Sequence, residues 1–190
     1  AWRYGKIEVR AKLPQGQGTW PAIWLLPAKN LYGPWAASGE IDLMEAVNLG
    51  VDCAKCEGGK ENTILGTIHF GGKWPANKQA SKEINFPPVL DGDFHNYAII
   101  WSPERIIWQV DGRDYAEQSA NIWHSEGEKS AATAPSTAPS KPPFDQEFYL
   151  ILNLAIGGGL AENRGLGGVS LTDYPKNMEI DWVRIWQKPE

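Results

Sequence analysis

Short runs of apolar and β-branched residues recur along the chain, and clusters of Gly, Pro, Asn and Asp separate them. Within several runs polar and apolar residues alternate, the period-2 signature of a strand with unlike faces. No amphipathic stretch has the ~10 residues expected of a stable surface helix. The pattern predicts an all-β sandwich or barrel. Strands are expected at Gly5–Leu13, Ala22–Leu26, Ile41–Val47, Thr63–Phe70, His95–Trp101, Arg105–Val110, Glu147–Leu154 and Glu179–Gln187. Val110-Asp111-Gly112-Arg113 reads as a hairpin, because Asp-Gly suits a type I′ turn.

One run breaks the alternation. Glu40-Ile41-Asp42-Leu43-Met44-Glu45 carries three carboxylates in an otherwise apolar strand. Residues two apart share a face, so Glu40 and Asp42 point together, while Glu45, five residues after Glu40, points the other way. A lone carboxylate in the core would cost several kcal/mol. One extra residue, a β-bulge at Leu43-Met44, cancels the phase error and sets all three acids on one face. The competing reading is an edge strand carrying acids for solubility, which the apolar neighbours Ile41, Leu43 and Met44 oppose. Two carboxyls about 5 Å apart across a sugar are the machinery of retaining glycoside hydrolysis.

Other strands also carry single polar residues. Thr67 and His69 share a face opposite Ile68, and Asn153 faces away from Leu152 and Leu154. Such insertions suit a sheet whose second face is a polar groove. His69 is equally readable as a satisfied structural histidine, and Asn153 as a buried amide bonded to backbone.

Composition narrows the partners. A net charge of −5 with dispersed charges disfavours nucleic acid and anionic membrane surfaces. No apolar stretch reaches the ~18 residues that span a bilayer. A length of 190 residues suits one domain with a substantial core. The start, Ala1-Trp2-Arg3-Tyr4, is neither a Met nor a signal peptide and reads as a mature or trimmed segment. Ten tryptophans are the anomaly: some belong to the core, and others, with Trp20 and Trp24 the best candidates, suit a groove where sugar faces stack.

Cys53-Ala54-Lys55-Cys56 leaves three readings open: a zinc half-site with distant ligands, a redox pair, or a short disulfide. No second CxxC or HxxxH accompanies it, so a loop disulfide in an exported protein is the expectation. Ser125–Pro143, with its Ala-Thr-Pro-Ser composition, reads as a long mobile loop.

Several motifs together resemble glycoside hydrolase family 16, and within it the bacterial laminarinases, which are endo-β-1,3-glucanases. They are Tyr4-Gly5-Lys6-Ile7-Glu8-Val9-Arg10-Ala11-Lys12-Leu13-Pro14, the Trp20–Trp24 run, Gly39–Glu45, Asp93–Trp101, Pro143–Gly158 and Tyr174–Arg184. The resemblance implies a jelly-roll sandwich of two antiparallel sheets, one of them concave and forming an open substrate cleft. It implies Glu40 as nucleophile, Glu45 as general acid/base and Asp42 as the residue between them. It also implies that Trp20, Trp24 and Trp35 line the glycone side, that His69 stands near the acid/base, and that Arg10 contacts sugar from the adjacent strand. Asp181 is read either as a structural calcium ligand on the convex face or as a surface acid beside Trp182. No cofactor is required for the chemistry.

The extra residue Met44 is similar to the laminarinase form, whereas many lichenases lack it. Family domains usually begin some dozens of residues earlier, which leaves three readings: the chain was trimmed, a strand-supplying partner or a dimer covers the edges, or a smaller sandwich tolerates the loss. The expectation is a secreted, retaining endo-β-1,3-glucan hydrolase in one catalytic domain over residues 1–190. The alternatives are a mixed-linkage β-1,3-1,4-glucanase, a galactan hydrolase, or a non-catalytic β-glucan-binding module.

Overall fold

The computed structural model describes residues 1–127, 141–163, 168–170, 172 and 174–187. Among the described residues, ten strands form two antiparallel five-stranded sheets. The strands are β1 (Gly5–Lys12), β2 (Thr19–Pro27), β3 (Glu40–Glu45), β4 (Thr63–Gly71) and β5 (Asn77–Asn85), then β6 (His95–Trp101), β7 (Arg105–Val110), β8 (Arg113–Ser119), β9 (Phe148–Ile156) and β10 (Glu179–Trp186). One sheet runs β10-β1-β6-β7-β8 and the other β5-β4-β3-β2-β9. A single turn of helix, α1 (Gly159–Asn163), follows β9.

Alternation decides which residues fill the space between the sheets. Ile7, Val9 and Ala11 of β1 are fully buried, while Lys6, Glu8, Arg10 and Lys12 turn outward. Ile23, Leu25, Ile41, Leu43, Met44, Ile64, Ile68, Ile99, Ile106 and Trp108 complete the core from both sheets. At about 25 cal/mol per Å² of apolar area removed from water, these side chains supply the main stabilisation.

The eight expected strands are present within a few residues of their expected bounds, and the Asp111-Gly112 hairpin joins β7 to β8. Both turn residues have positive φ, 48° and 75°, as a type I′ turn requires. Two strands were not expected, β5 and β8. Both are sheet-edge strands with polar residues on both faces, and only Ala80 and Ile84 of β5 and Tyr115 and Ala116 of β8 pack against the core. Strands of that kind have no apolar alternation to read. Most of the low-complexity loop expected over 125–143 lies outside the described residues.

β5 packs near β8, so β9 and β10 share the opposite flank of the sandwich. There the core is open. Register places Leu152 opposite Ile23 and Val183 opposite Val9, both core positions, yet Leu152 and Val183 are 37% and 39% exposed. A cavity of about 1330 Å³ is lined by Trp2, Lys6, Ile100, Trp101, Arg105 and Trp186 among others, and holds none of the clustered carboxylates.

Candidate active site

Strand β3 lies at the centre of its sheet, between β2 and β4. Its register slips on both sides. Ile23 pairs with Met44 but Trp24 with Asp42, and on the other side Asp42 pairs with Thr67 but Glu45 with Leu65. Leu43 and Met44 together therefore oppose the single residue Gly66, the bulge that the carboxylate spacing predicted. Leu43 and Met44 both turn into the core, at 2% and 0% exposure. Glu40, Asp42 and Glu45 come out on the other face.

The register lays polar rows across that face. His69 and Gln79 continue the row of Glu40, Thr67 and Ser81 the row of Asp42, and Ala22 and Asn153 flank Glu45. Indole N–H groups grip both outer carboxylates. Trp35 Nε1 donates to Glu40 Oε2 at 3.0 Å, and Trp20 Nε1 donates to Glu45 Oε1 at 3.0 Å. Trp24 Nε1 donates to Asn153 Oδ1 at 2.7 Å, which fixes the orientation of that amide. His69 Nε2 lies 3.2 Å from Asp42 Oδ2 and 3.5 Å from Glu40 Oε1, and its ring tilts over Trp35 with centroids 5.5 Å apart.

Burial raises both neighbouring acids. Glu40 is pushed up to about 7 by loss of water, then by the charge of Asp42, while His69, the Trp35 bond and Glu45 act more weakly. Burial pushes Asp42 further up. The two titrate as a pair. Asp42 is the deeper, with a carboxyl oxygen that lacks an aligned donor, whereas Glu40 accepts an indole N–H, which favours its anion.

Of the residues read as site candidates, Glu40, Asp42, Glu45, Trp20, Trp24, Trp35, His69 and Asn153 converge on this face. Arg10 does not. It stands on β1 of the other sheet, on the outward face, where its Nε donates to Asp181 Oδ2 at 3.0 Å and its guanidinium lies 5.4 Å from the Phe94 ring centroid. The expectation that it contacts sugar is corrected: alternation along β1 aims it away from the acids. Asp181 is occupied by the same pair and is half exposed. Calcium takes six or more oxygen ligands, whereas the neighbour here is a guanidinium, so the described residues do not fit that ion.

Among the described residues, two sets of three donor groups stand close enough to share a metal: Glu40, Asp42 and His69, and Cys53, Cys56 and Glu61. In the second, the cysteines are joined in a disulfide. Thr67, which alternation sets on the same polar face as His69, stands opposite Asp42 and shares a 3.0 Å hydrogen bond with Ser81.

The model of the glycosyl hydrolases family 16 matches residues 1–138. The chain is 39% identical over 190 residues to glucan endo-1,3-beta-glucosidase A1 of Niallia circulans, covering 98% of this chain and 24% of that protein. It is 34% identical over 212 aligned positions to a beta-1,3-glucan-binding protein of Penaeus monodon, covering 100% of this chain and 55% of the relative. The X-ray structure of the laminarinase from Rhodothermus marinus superposes with a TM-score of 0.74 at 34% identity, covering 100% of this chain and 67% of that one. The chain thus spans only a quarter to about half the length of these two sequence relatives. With a bulged acidic strand at the centre of a two-sheet sandwich and a family match over most of its length, the chain belongs to the glycosyl hydrolases family 16.

Proposed function

We propose that this domain hydrolyses internal β-1,3-glucosidic bonds in laminarin-type glucans with retention of configuration. The observation that carries the reading is the bulge, which brings Glu45 onto the face of Glu40 and Asp42. Glu40 attacks the anomeric carbon, and the bond to the departing sugar oxygen breaks as Glu45 delivers a proton to that oxygen. Glu45 then takes a proton from water, which displaces Glu40 and restores the anomeric configuration. Asp42 and the Trp35 indole stand beside Glu40 through the charge changes. Trp20 and Trp24 of β2, with Trp35, offer ring surface for sugar faces, and the open face suits attack within a long chain. The Cys53–Cys56 disulfide supports an exported protein.

A second reading, glucan binding without hydrolysis, draws on the Penaeus monodon relative. Retention of Glu40, Asp42 and Glu45 on one face favours hydrolysis. The test is reducing-sugar release from laminarin, barley β-glucan, agarose and carrageenan by the wild type, Glu40→Gln and Glu45→Gln. Laminarin should be cleaved fastest, and each variant should lose at least a thousandfold in turnover while keeping the wild-type circular dichroism. Laminarin binding without sugar release would establish the second reading, and near wild-type turnover in either variant would sink the first.

A further inference from the structure

The bulge in β3 poses a problem that the acids themselves do not solve. Where two residues oppose one, the ladder is locally broken and a backbone group loses its regular partner. In a core, an unpaired carbonyl is costly. The peptide immediately before the bulge is that of Asp42, whose carbonyl precedes Leu43.

The Asp42 carbonyl takes a donor from the other sheet. Trp108 of β7 is fully buried, and its indole Nε1 donates to the Asp42 carbonyl oxygen at 2.9 Å. An indole beneath the sheet reaches a carbonyl only when that carbonyl tilts out of the ladder plane towards the core. The residue facing the bulge makes the approach possible. A Cβ built on Gly66 would stand 2.3 Å from Trp108 Cδ1 and 2.5 Å from Nε1. No side chain larger than hydrogen fits there with the indole in place.

We propose that Trp108, admitted by Gly66, is a positioning residue for the hydrolytic carboxylates: its N–H holds the Asp42 peptide in the bulged orientation. That orientation sets the phase between Glu40 and Asp42 on one side of the bulge and Glu45 on the other. Trp108 touches no substrate; it acts through the backbone of β3. The role in turnover rests on the hydrolase reading, whereas the effect on the bulge does not.

The test removes the N–H and keeps the ring. Trp108→Phe, and replacement of Trp108 by 3-benzothienylalanine, which retains a bicycle of indole size without the donor, are compared with wild type. Both are expected to lower kcat on laminarin by tenfold or more with KM changed less than twofold, as misplacement of reacting groups does. The carboxyl titrations of Glu40 and Asp42, followed by carbon-13 NMR, should move as the peptide turns. Gly66→Ala should lower kcat to a similar extent, and combining it with Trp108→Phe should add little. Wild-type kcat in the benzothienylalanine protein would overturn the proposal. If wild type itself releases no sugar, the hydrolase reading fails separately, and the proposal then stands or falls on the titrations. Unchanged titrations in both variants would overturn it.

Discussion

Burial makes a charge on Asp42 expensive. Its carboxyl is 3% exposed on a residue basis, and water is replaced by a neighbouring acid and an imidazole. A carboxyl whose folded value lies above its unfolded value of ~4 binds protons more tightly in the native state. Stability from that group is therefore greatest at low pH and is lost as pH rises through the folded value, which for Glu40 is about 7 and for Asp42 higher. Asp42→Asn should raise stability by about 1–3 kcal/mol at pH 8 and leave it nearly unchanged at pH 3, with turnover down at least tenfold. Thermal midpoints across that range check it, and equal destabilisation at both pH values would contradict it. The same exchange of stability for activity is common where acids are buried for function. At this scale the sequence was only partly legible. Trp20 reads as a stacking surface and Trp35 as a lining residue of the glycone side, and nothing in their spacing announces that their N–H groups end on Glu45 and Glu40. The resemblance offers Arg10 as a sugar contact, but it stands on the outward face of β1 in the other sheet.

Among the elements, β3 was the most legible, since its phase error has one economical solution and the register contains it. β5 and β8 were illegible because a polar edge strand is specified by its neighbour's hydrogen bonds rather than by its own side chains. The lobe between β3 and β4 shows a third situation, a small element built on a covalent link. Val51 to Glu61 folds back on itself, with Glu61 N donating to Val51 O and Cys53 N to Gly59 O. Within it the disulfide closes a loop with a sequence separation of only three. Closing so short a loop stabilises by about 2 kcal/mol at most. Replacing both cysteines by serine should lower stability by that amount or less and leave kcat within twofold. Chemical denaturation checks the first part, and a larger loss would mean that the link organises β3 itself.

For the whole molecule, the two flanks of the sandwich differ. β5 and β8 end in polar strands, whereas β9 and β10 leave Leu152, Ile156, Ile180 and Val183 more than a third exposed. Edges of this kind pair with further strands or with other molecules. We expect residues 1–190, of 21.0 kDa, to associate as concentration rises, and Leu152→Lys combined with Val183→Lys to restore a monomer. Light scattering coupled to size exclusion decides it, and a wild type that stays monomeric at ~100 μM would refute the expectation, which rests on the aggregation tendency of open apolar edges. The open flank lies beside β9, which carries Asn153, so what covers it also bears on the groove.

The bulge has one more consequence, concerning parity. An odd separation of Glu40 and Glu45 can serve one face only because β3 slips by one residue at Leu43-Met44. Removing Met44 would make the separation even, and an uninterrupted strand would then present the same three acids unaided. Two sequence lengths thus encode one constellation, and they differ in what they owe to the rest of the fold. The even strand is self-sufficient. The odd one borrows its geometry from a tryptophan in the facing sheet, so in this chain a mutation far from any sugar can reach the chemistry.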